Sequence, residues 1–284
     1  LIDRKQFDLL VERHGMDKGV RNFTTWEMTC ALLTCLTLRL SSYREVEETL
    51  GIPRSTFGDA MGGRFHVFFQ DLCDLILLDI RGRTQDRKIR RGIRELLAID
   101  SSECRVHGSM FTQAGWQPPH TISHQAACKI HVVFNVNGEW IEDFKITGVR
   151  RNDAAVVKRF SILPGKTYVF DRAYCDMGFW LDIMDSGSHF VTRLKECTRT
   201  RELQAKVLKE KGDKNGVLWD GFHVPGLLAS YVHKKRLEVT QIRHIIYRDP
   251  ISKKIFHFVT SDLKASANTI ASIYKSRWAV ELLF

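Results

Sequence analysis

The chain has 284 residues, 44% hydrophobic and 27% charged, with 43 Lys plus Arg against 33 Asp plus Glu and only 6 Pro and 19 Gly. This composition excludes disorder, collagen-like repeats and small disulfide-stapled folds, and the length suits one large domain or two smaller ones with a sizeable core. The formal charge of +10 and a sequence pI near 9.3 point to a polyanionic partner, nucleic acid or an anionic membrane surface, although many basic proteins bind neither.

The longest apolar run, Met28 to Leu38, is interrupted by threonines and stopped by Arg39. It falls well short of the ~20 residues of a membrane helix, so it reads as a buried helix and no membrane partner is expected. No secretory signal opens the chain. Seven scattered cysteines, an odd number, suit free thiols in a reducing cytosol, so a cytoplasmic protein is expected. Because the chain opens on Leu1 instead of Met, its natural start is expected upstream.

Residues 1–80 read as all-helical, with apolar residues at helical spacing over Phe23 to Leu40 and Phe65 to Leu78. Between these lies a helix-turn-helix candidate. Ser42 and Glu45 form a capping box for a first helix, Gly51 breaks it, and Pro53 opens a second helix through Phe57 and Met61. The second helix would present Arg54, Ser55, Thr56 and Asp59 to a DNA major groove; an ordinary helical hairpin with a solvated face carries the same pattern. A basic stretch follows at 81–94, with seven cations (Arg81, Arg83, Arg87, Lys88, Arg90, Arg91, Arg94) and one acid, Asp86. It reads as a linker that could neutralise backbone phosphates or simply lie solvated.

From about residue 95 the pattern becomes mixed. Leu96–Asp100, Ile130–Val136, Trp140–Ile146, Thr167–Asp171 and His189–Leu194 read as strands, with helices over 152–160 and 177–186. Three consecutive strands followed by strand-helix-strand crossovers predict a mixed α/β sheet covered by helices. Residues 196–262 read as a β-rich insertion, and an amphipathic helix is expected from Ala267 to Phe284.

Asp100 and Asp171 each end an apolar strand, where a carboxylate is costly unless paired, hydrogen-bonded or bound to a cation. If the first and fourth strands are adjacent and parallel, the two converge at one edge, and such a pair suits Mg2+ or Mn2+. Alternatively each caps a turn. On the last helix Ile270, Ile273, Tyr274, Arg277, Glu281 and Phe284 share one stripe, which puts Arg277 and Glu281 on the packed face; an exposed ion pair is the bland alternative.

The Asp100 strand, Asp-Arg-Ala-Tyr at 171–174 and Tyr274-x-x-Arg277-Trp278-x-x-Glu281, in that order, resemble the DDE transposases of bacterial insertion sequences, specifically the insertion sequence four family. The resemblance spans 95–284 and includes a β-rich insertion before the glutamate helix; the helical front also resembles that family's N-terminal region. It implies a ribonuclease-H-like catalytic domain over 95–284, preceded by a helical DNA-binding region at 1–80 and a basic linker at 81–94. It further implies that Asp100, Asp171 and Glu281 are the catalytic residues and hold two Mg2+ or Mn2+ ions. Tyr274, Arg277 and Arg172 would contact DNA phosphates. The expected reaction is cut-and-paste cleavage and joining of double-stranded transposon-end and target DNA by a homodimer. Lys234 and Lys235, with other insertion cations, would clamp DNA, and Trp219 or Phe222 would stack on a base. Ala173 stands where the family has Gly, and the signature lysine would fall at position 288, so the chain is expected to be truncated. A catalytically inactive DNA-binding remnant or regulator, and a nuclease acting on hybrids or repair junctions, are the competing readings. Among other groups, Cys104, His107, His120, His124 and Cys128 have spacings that could bind zinc but no Cys-x-x-Cys knuckle. Lys129 and Arg151 could reach DNA or solvent.

Overall fold

The computed structural model describes residues 2–63, 66–84, 94–106, 126–194, 200–202, 216–225 and 242–284. The chain divides into two units, Leu1–Arg87 and Lys88–Phe284.

In the first unit a side-chain acceptor opens each of the first three helices. Asp3 caps α1 (Arg4–His14), Thr24 and Glu27 form a complete capping box on α2 (Thr25–Leu38), and Ser42 caps α3 (Tyr43–Leu50). The expected box at α3 is half made. Ser42 accepts from the Glu45 amide, but the Glu45 carboxylate accepts the backbone N–H of Ser41 at 2.6 Å. Gly51, at φ 68°, closes α3 in the left-handed conformation that glycine adopts without strain, and α4 (Arg54–Gly63) follows Pro53. Helix α5 (His66–Thr84) runs into the stretch read as a linker. Phe7, Leu10, Met16, Phe68 and Leu72 form one core cluster and Ala31, Val46 and Phe57 another. His14 Nε2 meets Asp71 Oδ2 at 2.8 Å, tying α1 to α5. The reading of α2 as a buried helix holds for its first half. Leu33, Leu36 and Leu38 are exposed, because the Ala31 cluster covers one side of the helix.

In the second unit, the described residues form strands β1 (Leu96–Val106), β2 (Ala126–Asn135), β3 (Trp140–Gly148), β4 (Thr167–Phe170), β5 (His189–Arg193), β6 (Thr200–Glu202), β7 (Val217–Pro225), β8 (Arg243–Arg248) and β9 (Ile255–Thr260). Their order in the sheet is β3-β2-β1-β4-β5-β9-β8-β7-β6. Strand β4 runs parallel to β1 and β5, and the other neighbours are antiparallel. Alternation along the central strands separates two cores. Leu97, Ile99, Tyr168, Phe170 and Phe190 pack with Trp180 and Ile183 of α7 (Met177–Asp185) and with Val156 of α6 (Asp153–Val156). Ala98, Val132, Val169, Val191 and Phe258 pack with Ile270 and Tyr274 of α8 (Ala267–Ser276).

Three expectations change. Strand β1 continues six residues beyond Asp100, because β2 goes on pairing with it as far as Val106. The strands of the segment read as an insertion belong to the main sheet: β9 pairs with β5 and covers an edge that would otherwise be open. Helix α8 stops at Ser276 and tightens into a 3-10 turn over Arg277–Val280. Four residues of α-helix return a side chain to within about 40° of its start, whereas four residues of 3-10 helix leave it about 120° away. Arg277 is therefore buried while Glu281 is exposed, and the two do not share an inward stripe.

Candidate active site

The parallel ladder between β1 and β4 ends at the pair Ile99 and Phe170. The next residue on each strand is an aspartate. Asp100 and Asp171 thus stand side by side, in phase with Ala98 and Val169, on the sheet face that α8 covers. Asp100 lies mid-strand with respect to β2, but at the point where its parallel neighbour stops. Its carboxylate accepts the Ser101 amide at 2.9 Å. Asp171 leaves the strand in extended conformation, and its carboxylate accepts the Arg172 amide, capping the short 3-10 turn Arg172–Tyr174. The alternative reading of Asp171 as a turn cap is therefore also realised.

Arg277 reaches this edge from the turn after α8. Its Nη1 donates to Asp100 Oδ2 and its Nη2 to Glu281 Oε1 at 3.1 Å. Burial pushes the Asp100 carboxyl above its ordinary range; Arg277 opposes this, while Asp171 and Glu281 reinforce it. Burial alone would lower the Arg277 pKa, but Asp100, Tyr274, Asp171 and Glu281 hold the guanidinium charged and raise it. Tyr274 is buried against Phe258, 5.1 Å between ring centroids, and its phenol is pushed up by burial and by Asp171.

A second arginine, not singled out from the sequence, completes the edge. Arg193 ends β5, next to β4, with Nη2 3.6 Å from Asp171 Oδ1. Its guanidinium lies 5.2 Å from the Tyr274 ring centroid and 5.5 Å from that of Phe256, and its buried Nε has no hydrogen-bond partner. Each aspartate therefore faces one arginine. The available signal was a cation closing the apolar strand HFVTR, but its use depends on β5 lying beside β4.

The opposite face of the same strand ends is held by a buried polar chain. His131 of β2 meets the Tyr174 hydroxyl at 3.0 Å through Nδ1 and the Thr147 hydroxyl at 2.9 Å through Nε2. Asp153 Oδ1 lies 3.7 Å from His131 and accepts from Lys129 Nζ at 3.0 Å. Burial lowers the His131 pKa to about 4, with Asp153 opposing and Lys129 and Arg159 assisting. Tyr174 also hydrogen-bonds Ser101, and burial pushes its phenol far up. Ser101, next to Asp100, and Tyr174, three residues after Asp171, are thereby joined. Lys129, read as a possible DNA contact, is turned into this pair.

Of the other predicted residues, Arg172 is exposed beside Asp171. On α4, Arg54 and Ser55 are exposed and Thr56 half-buried, and Arg54 pairs with Glu47 at 2.7 Å. Arg87, Lys88, Arg90, Arg91, Lys234 and Lys235 lie outside the described residues, as do His107, His120 and His124. Trp219 packs against His244, 5.3 Å between rings. Among the described residues no three His, Cys, Asp or Glu side chains cluster closely enough to hold a metal ion. The donor chemistry of the aspartates still fits a hard divalent cation: two adjacent carboxylates at a strand-end edge, one of them disfavoured as an anion by burial. Glu281 stands apart from that pair, linked to it through Arg277.

These features define an α/β protein with an acidic, arginine-flanked edge at the ends of its parallel strands, the region where open α/β sheets bind ligands. The family model of the transposase DDE domain matches residues 91–284, and the chain belongs to that family. A domain of unknown function (DUF4372) matches residues 1–55. The putative transposase y4zB of Sinorhizobium fredii is 31% identical over 203 residues, covering 70% of this chain and 53% of the relative. The probable transposase for insertion sequence element IS5377 of Geobacillus stearothermophilus is 26% identical over 290 aligned positions, covering 100% of this chain and 73% of the relative. The chain thus spans about half the length of the first relative and three quarters of the second. A cryo-EM structure of piggyBac transposase in a synaptic complex with hairpin DNA aligns over 90% of this chain and 56% of that one, at 12% identity and a TM-score of 0.49. No described helix is long and apolar enough to cross a membrane.

Proposed function

We propose that the chain is the catalytic part of an insertion-sequence transposase of the insertion sequence four family, with a ribonuclease-H-like domain that cleaves and rejoins transposon-end DNA. The observation that supports this best is the placement of Asp100 and Asp171 at the end of one parallel ladder, each against an arginine. Asp100, Asp171 and Glu281 would hold two Mg2+ or Mn2+ ions, which when bound activate the attacking water or 3′-hydroxyl and stabilise the leaving oxygen of an in-line phosphoryl displacement. The chain's own residues supply position and charge. Arg277 holds Asp100 and Glu281 together and is exchanged from carboxylate to phosphate when DNA enters; its planar fork suits both. Arg193 and Arg172 flank Asp171 and receive the adjacent phosphates, and Tyr274 backs both Arg193 and Arg277. Basic residues at 87–91 and 234–235 neutralise backbone phosphate, and Arg54, Ser55 and Thr56 face the DNA groove. Two copies act together on paired transposon ends, in a cut-and-paste reaction at the bacterial nucleoid.

The test is strand cleavage and joining of transposon-end DNA with Mg2+ by the full-length protein. Asp100→Ala and Glu281→Gln are expected to abolish both steps while leaving salt-sensitive DNA binding in place. Cleavage that persists in either variant overturns the assignment, and binding without cleavage in the unaltered protein supports a DNA-binding remnant instead.

A further inference from the structure

In the ladder between β1 and β2, Cys104 pairs directly with Cys128. Both sulfurs lie on the face that carries Asp100 and Val132, because 100, 102 and 104 on β1 oppose 132, 130 and 128 on β2. Directly opposed residues of an antiparallel pair have Cα atoms about 4.5–5.5 Å apart, inside the range a disulfide spans. The two side chains are in hydrogen-bonding contact. Cys128 is buried and Cys104 half-buried, so Cys104 is the more accessible of the two. The transposition chemistry makes no use of either.

We propose that Cys104 and Cys128 form a reversible dithiol–disulfide site that staples β1 to β2 when the protein meets a small-molecule disulfide such as glutathione disulfide. The half-buried Cys104 attacks first as its thiolate, forming a mixed disulfide and expelling one glutathione thiolate. Burial pushes the Cys128 thiol up, so it stays protonated during the first exchange and then gives its proton to the released glutathione thiolate. Its thiolate then attacks the Cys104 sulfur and expels the second glutathione. Two protein thiols are oxidised, one glutathione disulfide is reduced to two glutathiones, and the two thiol protons pass to the departing thiolates. The bond lies four residues along β1 from Asp100, about 13 Å at strand spacing, so it locks the strand that presents the aspartate without occupying the acidic edge. In a reducing compartment the site rests as the dithiol, as such transient disulfides do. This inference stands apart from the proposed nuclease activity and does not depend on it.

The experiment equilibrates the folded protein with glutathione and glutathione disulfide at several ratios, blocks remaining thiols by alkylation in denaturant, and maps the peptides by mass spectrometry. The expected result is that the thiols of Cys104 and Cys128 are lost together, with a Cys104–Cys128 linked peptide as the main protein disulfide, reversed by dithiothreitol. Oxidation is expected to raise the unfolding midpoint of the unaltered protein, and Cys104→Ser to abolish both the link and the rise. The unaltered protein decides the matter even if that variant folds poorly. Separate glutathionylation of Cys104, or linkage of either residue to another cysteine as the main product, overturns the proposal.

Discussion

Replacing His131 tests the buried chain that joins the two aspartate-bearing strand ends. His131 is fully buried between Tyr174 and Thr147, and burial lowers its pKa from the ordinary 6.5 to about 4. A histidine kept neutral by burial adds nothing to the pH dependence of stability above the unfolded pKa. Below it, the unfolded chain takes up a proton that the native state refuses, so stability falls with decreasing pH. The slope approaches about 1.4 kcal/mol per pH unit, and the loss between about pH 6.5 and pH 4 totals roughly 3 kcal/mol. The assay is urea unfolding of the native protein and of His131→Asn across this range. The variant is less stable at neutral pH, because Tyr174 and Thr147 each lose a buried partner at about 1–3 kcal/mol. Its deficit shrinks steadily as the pH falls, since it lacks the titrating group while the carboxylate contributions cancel in the comparison. Parallel stability curves, or an NMR titration of the native protein in which the His131 imidazole protonates near pH 6.5, would refute the reasoning.

Other consequences follow from the same geometry. Arg193→Ala should weaken DNA binding roughly tenfold or more through the loss of a charged phosphate contact, and lower the salt slope of affinity by about one, measured by fluorescence anisotropy against salt concentration. Without added metal, Arg277→Met should cost about 3 kcal/mol in urea unfolding, because Asp100 keeps its burial and loses its partner. The Asp100 pKa then rises further in the native state, so the variant should regain stability as pH falls below that value; a deficit independent of pH would contradict this. Arg243 is buried, with Nε and Nη2 donating to Asp220 at 2.7 and 2.6 Å and Nη1 to the Asp262 and Ala265 carbonyls before α8. Asp220→Ala strands that guanidinium and should cost about 3–5 kcal/mol, a fall of roughly 10 °C in melting temperature, whereas replacing both partners with apolar residues should cost much less.

Much of the local structure was legible because short-range physics decides it. Ser42 marks the start of α3 by accepting the Glu45 amide, and the apolar segments of β1, β4 and β5 stand out by composition. The acidic edge was partly legible: a carboxylate closing an apolar strand is costly enough to be noticed from sequence. Its partners were not. Arg193, four residues from a histidine and next to a leucine in an unremarkable strand, becomes part of the edge through the parallel pairing of β5 with β4. His131 and Tyr174 are 43 residues apart and meet through packing alone.

By itself the sequence determined most element types and singled out Asp100 and Asp171, because periodicity and desolvation cost act over a few residues, while Glu281 stood out through the order of its motif. Tertiary structure decided the rest. It set β1 and β4 in one parallel ladder so that Asp100 and Asp171 stand together, extended the main sheet with the later β-rich segment through β9, and tightened the turn after α8 so that Arg277 rather than Glu281 points inward. Those outcomes depend on strand order and on the twist of a helix end, which are settled by contacts between residues far apart in the chain and leave no local pattern to read.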